Sequence, residues 1–266
     1  MNKSKQYYLR HPKLCLSRID TKFFNSFFSK NLMPKRCKCS FCGKKFFSYC
    51  IHGYVSSVPE KHNVTMGPRF SDCPYCRSVD KYRWLWRILS ENTELLKSQG
   101  RLLHFAPEGP IKARIKNSFK GEYFTGDIEP GRAEYVVDMT DICFEDNSFD
   151  YIIACNVMEH IMDERKAVEE LKRVIKPTGT IILSFPVAFD MEKTYEDDKI
   201  TSEEERLENY GQEDHVRLYG IDYVKRFESY GLKVKSILPE DIMTRKEIYK
   251  NGFRKVTPML LLQKYN

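Results

Sequence analysis

The stretch from Arg101 to Thr140 constrains the fold of this chain more than any other part. Three short apolar runs follow one another there: Leu102-Leu103-His104-Phe105-Ala106, Tyr123-Phe124-Thr125-Gly126-Asp127 and Tyr135-Val136-Val137-Asp138. Each gives way to polar residues, as a buried parallel strand does where it meets a binding crevice. Pro107-Glu108-Gly109-Pro110 makes the first connection, with Pro110 where a helix has its first residue. Asp127 lies 19 residues beyond Glu108, close to the ~20-residue spacing at which a carboxylate meets a ribose in nucleotide-binding βαβ units. Asp138 closes the third run and can accept from an exocyclic amine. The predicted crevice fits an adenosine.

What the loop lacks narrows the ligand. There is no GxGxxG, and the next cation after the first run is Lys112. A pyrophosphate wants bare glycine amides at a helix N-terminus, and the Glu108 carboxylate would repel it. A sulfonium and an ammonium would be attracted instead, which favours S-adenosylmethionine over NAD or ATP. The plainer alternative is a doubly wound domain whose strand-end acids are only solvated.

Beyond this stretch, Phe149 to Val157 reads as a fourth buried strand. A helix is expected over 163–176, with Val168, Leu171, Val174 and Ile175 on one face, stopped by Pro177-Thr178-Gly179. Ile181 to Phe185, Leu232 to Leu238 and Met259 to Leu262 read as further strands, and residues 222–231 as another helix. Strands and helices alternating at this spacing predict an α/β fold with a mostly parallel sheet and helices on both faces. A helix over 80–89 would bury Trp84, Leu85 and Ile88, leaving Arg83 and Arg87 as surface charges or, less expected, as contacts to a substrate phosphate.

The N-terminal third adds a separate signal. Cys39-Ser-Phe-Cys42 and Cys73-Pro-Tyr-Cys76 are two CxxC pairs with thirty residues between them. Such turns aim four thiolates at a common centre, the pattern of tetrahedral structural zinc. Cys37, Cys50, His52 and His62 are spare candidates for one ligand position. The expected partition is an extension over 1–36, in which Phe23, Phe24, Phe27 and Phe28 recur at helical spacing, a zinc-knuckle module over 37–80, and a large domain over 81–266. The first hundred residues carry 19 Lys and Arg against 6 Asp and Glu, whereas the whole chain has a net charge of only +7. That basic third suits an anionic partner or an ordinary solvated surface equally well. No apolar run reaches the ~18 residues of a membrane span, and no leader-like core begins the chain, so a cytoplasmic location is expected.

Taken in order, Leu102–Glu108, Asp127, Asp138, Phe149–His160 and Val174-Ile175-Lys176-Pro177-Thr178-Gly179 resemble the class I S-adenosylmethionine-dependent methyltransferases over residues 100–266. The chain looks closest to a bacterial subgroup with a double-CxxC zinc module, an HFAPE loop (His104–Glu108) and a DHVRxYG segment (Asp214–Gly220). The resemblance implies a Rossmann-like seven-stranded sheet with its last strand antiparallel. It implies a cofactor site lined by His104, Phe105, Ala106, Pro107 and Glu108 of the first loop. Asp127 and Ile128 would lie at the ribose, Asp138 and Met139 at the adenine, and Asn156, Val157 and His160 at the fourth strand end. The chain departs from the general family in its first loop, where His104, Ala106 and Glu108 stand in place of a glycine-rich run.

Methyl transfer from a sulfonium depends mainly on positioning. A hydroxyl or amine acceptor also gains from a base, for which His215 and His160 are the candidates. His215 lies in an insertion over about 187–221, placed where a lid would be. In that insertion Asp214 would orient the imidazole, Arg217 would bind an anionic acceptor, and Tyr219 would stack or donate. The alternative for Asp214, His215 and Arg217 is a network that pins the loop. The expected activity is methylation of a small molecule, of the sugar or nucleotide-sugar type found in surface-glycan pathways. The alternatives are an RNA methyltransferase gripping phosphates with its basic module, and a non-catalytic scaffold.

Overall fold

The computed structural model describes residues 36–53 and 56–265. Residues 1–35 of the expected extension, with Phe23, Phe24, Phe27 and Phe28, lie outside the described residues. The chain divides into two compact units whose segments interleave.

The small unit takes described residues from 36–53, 67–84 and 239–256. In it β1 (Cys37–Lys38) pairs antiparallel with β2 (Lys45–Phe46), and β3 (Cys50–His52) with β4 (Arg69–Asp72). Cys37, Cys39, Phe46, Tyr49 and Cys73 pack together in it, with Phe46 and Tyr49 edge to face at 4.8 Å, and Trp84 meets Phe253 at 5.5 Å. Arg83, expected on the surface, is instead fully buried. Its guanidinium donates to the carbonyls of Ser78, Ser71 (2.8 Å) and Asn251 (3.3 Å) and lies 4.4 Å over the Tyr49 ring. Carbonyl oxygens and an aromatic face compensate the desolvated charge, so it cannot reach a substrate phosphate. Arg87 pairs with Glu91 at 2.8 Å, and Trp84, Leu85 and Ile88 form the buried stripe expected of the helix Asp80–Glu91.

The large unit holds residues 56–66, 85–238 and 257–265 of those described. Its sheet has seven strands: β5 (Arg101–Phe105), β6 (Glu122–Asp127), β7 (Tyr135–Val136), β8 (Phe149–Cys155), β9 (Ile175–Ser184), β10 (Leu232–Ile237) and β11 (Met259–Lys264). They lie in the order β10-β11-β9-β8-β5-β6-β7. β11 runs antiparallel to both its neighbours, and the other pairs are parallel. Leu103, Phe105, Ile152, Ala154, Ile181 and Leu183 share a core with Val168 and Leu171 of the helix Glu164–Val174 and Phe227 of the helix Tyr223–Ser229. Their alternates Leu102, Ile153 and Ile182 are equally buried, so both faces of the sheet are covered. This is the expected Rossmann-like architecture.

Two local expectations change. The helix ends at Val174, and β9 begins at once. Ile175 pairs with Phe149, but the next pair is Thr180 with Tyr151, so Lys176-Pro177-Thr178-Gly179 is looped out within the strand. Proline cannot donate to a ladder, and a bulge is where a strand tolerates it. The insertion is also no free flap. Val187 bridges Tyr219, Tyr195 bridges Leu218, and Ala188 bridges Val64 of the returning 56–66 segment. Ala188, Tyr210 and Leu218 are buried in one cluster with Val58, Val64 and Met66. No helix among the described residues is long and apolar enough to cross a membrane.

Candidate functional site

β5 pairs with β6 on one side and β8 on the other; the chain leaves β5 toward β6 and leaves β8 toward β9, so the connections from these two neighbouring strands run in opposite directions. Such a switch point, with its crevice at the strand tips, is where open α/β sheets hold their ligands. At two of those tips the backbone is strained: Ala106, just past β5, has φ +44°, and Asn156, just past β8, has φ +57°. A non-glycine residue in that region costs about 1 kcal/mol or more, and both are held by hydrogen bonds across the sheet. Ala106 N–H donates to Gly126 at 2.8 Å and Asn156 N–H to Ser184 at 2.7 Å. Only fixed neighbours keep such a turn, and here they turn the chain sharply away from the crevice mouth.

The expected cofactor residues divide by depth. Glu108 precedes the helix Gly109–Ser118 as its N-cap. Asp127 is half-buried at the end of β6, with Oδ1 accepting from Glu129 N–H at 2.9 Å. Asp138 is exposed, its Oδ1 accepting from the Thr140 amide and hydroxyl, both at 2.8 Å. Ala106, Pro107, Asn156 and Val157 are half-buried at the tips, and Ile128 is exposed. Phe105 and Met139 sit in the core beneath.

His104 does not open into the crevice. It is buried, with Nδ1 2.8 Å from the Tyr123 hydroxyl. Burial pushes its imidazole down to about 3, helped by the charge on Lys112. Below pH 6.5 the unfolded chain therefore takes a proton that the folded chain refuses, and stability falls as pH falls. Between pH 6.5 and 5 this one ring is expected to remove about 2 kcal/mol. Urea unfolding across that range checks it: the variant His104→Gln should show a visibly shallower loss, and an identical slope refutes the assignment.

The expected catalytic and acceptor residues are regrouped. His215 is buried, its Nδ1 3.3 Å from the Tyr210 carbonyl, and burial lowers its pKa to about 3 with the neighbouring His160 adding to the effect. A base that weak is a poor proton acceptor at neutral pH. Asp214 faces His160 rather than His215: Nδ1 of His160 is 3.2 Å from the Asp214 carbonyl and 3.5 Å from its carboxylate. The two imidazoles meet edge to face at 4.7 Å.

Arg217 and Tyr219, expected to touch an acceptor, are buried with their polar atoms engaged by protein partners. Arg217 is buried and donates to the carbonyls of Met158 (2.8 Å), Ile161 (2.6 Å) and Met162 (3.0 Å) and to Glu196 (2.9 Å). Tyr219 is fully buried, stacked on Phe185 at 3.8 Å, with its hydroxyl donating to Glu164. Glu164 is the residue that sequence reasoning missed, because an acid in a helical first turn looks like an ordinary N-terminal charge. It is buried and also accepts from Arg226 and, at 2.7 Å, from Tyr230. A cavity of about 590 Å³ opens beside this network, lined by Asp163, Glu196, Asp197 and Asp198 as well as by Arg165, Lys199, Arg217 and Arg226.

In the small unit, the sulfurs of Cys39 and Cys76 are 3.7 Å apart, as are those of Cys42 and Cys73. All four lie within 4.8 Å of one another. A tetrahedron with metal–sulfur bonds of ~2.3 Å has edges of about 3.8 Å. Each knuckle closes the same way: Gly43 N–H donates to Cys39 at 2.9 Å and Arg77 N–H to Cys73 at 3.0 Å, with φ +71° and +62°. The Cys73 thiol holds Cys39 down to about 4 while its own proton becomes hard to remove. Four thiols this close cannot all ionise without a cation among them, so the donor set fits a thiophilic dication. Cys37, which donates to Phe47 at 3.5 Å, His52, paired with Asp72, and His62, paired with Asp190, stand outside this cluster, as does Cys50.

Residues 114–183 match the family model described as a methyltransferase domain. The chain therefore carries a partial match to a methyltransferase domain, lying within its seven-stranded Rossmann-like sheet. Over 113 residues it is 29% identical to the demethylmenaquinone methyltransferase of Clavibacter sepedonicus, covering 37% of this chain and 46% of that one. Over 68 residues it is 34% identical to a glycine/sarcosine/dimethylglycine N-methyltransferase of Actinopolyspora halophila, covering 24% and 12%. Among solved structures, an S-adenosylmethionine-dependent methyltransferase from Aquifex aeolicus aligns with a TM-score of 0.44 at 18% identity, over 66% of this chain and 87% of that one. The chain thus spans less than half the length of these curated relatives.

Proposed function

We propose that this protein transfers a methyl group from S-adenosylmethionine to a small-molecule acceptor in the cytoplasm. The observation that carries the reading is the switch point at the tips of the paired strands β5 and β8, with the positive-φ residues Ala106 and Asn156 just past them and the acidic residues Glu108, Asp127 and Asp138 at or beyond neighbouring strand ends. When bound there, the cofactor supplies a methyl group already activated by its sulfonium. Asp127 is assigned to the ribose hydroxyls, Asp138 to the adenine amine and Glu108 to the positive end of the molecule. The two named curated relatives act on small molecules by their names, which supports an acceptor of that size.

The acceptor is assigned to the polar, hydroxyl-bearing class, of the sugar or nucleotide-sugar kind. A cavity edged by Asp163, Glu196, Asp197 and Asp198 offers acceptors for hydroxyl groups. Arg217 and Arg226 are already paired with Glu196, which counts against an anionic group being held by them. The four-cysteine cluster is assigned to zinc with a structural role.

Asp127→Ala tests the cofactor assignment. A hydrogen bond to a charged group is worth about 1.5–3 kcal/mol, so calorimetry with S-adenosylhomocysteine should show affinity reduced roughly 10- to 150-fold. The fold should survive, since the carboxylate accepts from a local amide, that of Glu129. An unchanged dissociation constant refutes the ribose assignment.

A further inference from the structure

Past the tip of β8, the short turn Met158–His160 brings Glu159 and His160 against His215. One ligand-type atom from each lies within 4.8 Å of the others. Both Glu159 and His215 are about 1% exposed, while the His160 side chain is a third exposed. The hydrogen bonds around the two imidazoles are matched. His215 directs Nδ1 to the Tyr210 carbonyl, and His160 directs Nδ1 to the Asp214 carbonyl. Donation to a carbonyl places the proton on Nδ1 and leaves the lone pair on Nε2 in both rings. The Nε2 of His215 is buried and meets no partner, and an unmet buried lone pair is costly. Asn156 Nδ2 donates to Glu159 Oε1 at 3.2 Å and so orients the carboxylate.

We propose that Glu159, His160 and His215 form a binding site for a divalent transition cation. Two imidazoles held by carbonyls through Nδ1, with a carboxylate held by an amide, are the supported ligands such a cation requires. Its ligands at ~2.0–2.2 Å would need only a small inward movement from the present spacing. Three protein ligands leave at least one coordination position, and it opens on the side where His160 is exposed. Arg217 belongs to this site as a positioning residue, because its bonds to Met158, Ile161 and Met162 clamp the turn that carries two of the ligands.

Resting on the methyltransferase reading, the open position would take the acceptor's hydroxyl oxygen and promote release of its proton to solvent. That oxygen then bonds to the methyl carbon as the carbon–sulfur bond breaks, its electron pair staying on sulfur in S-adenosylhomocysteine.

The test uses the full chain with its cysteine site loaded with zinc, which a hard cation such as Mn²⁺ does not displace from thiolates. Mn²⁺ is titrated while the free-ion paramagnetic resonance signal is followed. One equivalent per chain should bind, and His160→Ala and Glu159→Gln should each weaken it by about tenfold or more. His160→Ala alters a partly exposed side chain, and a thermal melt confirms that it folds. No Mn²⁺ or Zn²⁺ binding beyond the cysteine site, or binding indifferent to both variants, overturns the proposal. Titration of the same samples with S-adenosylhomocysteine separates the two readings, because cofactor binding without cation binding defeats this inference alone.

Discussion

Cys73→Ser is expected to unfold the small unit while the seven-stranded sheet keeps its own transition. The reason is how the cysteines are placed: Cys39 and Cys73, metal ligands on the zinc assignment, are buried in one cluster with Cys37, Phe46 and Tyr49. Without the metal, the segments 36–53 and 67–84 lose the bonds that tie the two knuckles together, and a small unit has little else to offset the entropy of ordering three separate chain segments. Structural zinc supplies about 10–16 kcal/mol in comparable small modules, so its loss outweighs anything else that holds the unit together. Limited proteolysis should cut the variant within residues 36–84, and a thiol reagent should release one zinc per wild-type chain. Wild-type-like protease resistance in Cys73→Ser, with no zinc released from the parent, would remove the metal from the account.

Glu164→Ala has the second largest expected effect, and it falls on the sheet unit. The carboxylate is buried and accepts from Tyr219, Arg226 and Tyr230, with Arg217 4.0 Å away. Truncation leaves two guanidinium groups in a largely dehydrated site with only Glu196 to share. Removing one partner of a buried ion pair costs about 3–5 kcal/mol. For a unit of this size that lowers the melting temperature by roughly 10 °C. The damage should also reach the site, since Arg217 clamps the turn carrying Glu159 and His160. Denaturant unfolding gives the first number; a loss under about 1 kcal/mol would show the network to be incidental.

Much of this was legible in the residues. Apolar runs ending in polar residues marked the parallel strands, because a strand buried on both faces cannot alternate. The CxxC pairs marked the cysteine cluster, because their short spacing leaves the sulfurs little choice of direction. Asp127 and Asp138 were placed by their distance along the chain from strand ends, which is local geometry. Arg83 was misread as a surface charge, and the burial of Arg217 and Tyr219 was not foreseen. A polar side chain in a segment rich in charge looks exposed until its partners are known, and some of those partners lie far away in sequence: Arg217 bonds Met158, and Arg83 bonds Asn251.

The sequence by itself therefore placed the strands and the two CxxC pairs, since each follows from periodicity or spacing within a few residues, whereas the seven-stranded order came only through the family resemblance. Only the tertiary structure decided that residues 239–256 belong with the cysteine unit and 56–66 with the sheet. It alone turned Asp214 toward His160, buried Glu164, and set His215 beside Glu159 and His160. Those outcomes depend on contacts between residues more than fifty positions apart, which no local pattern encodes.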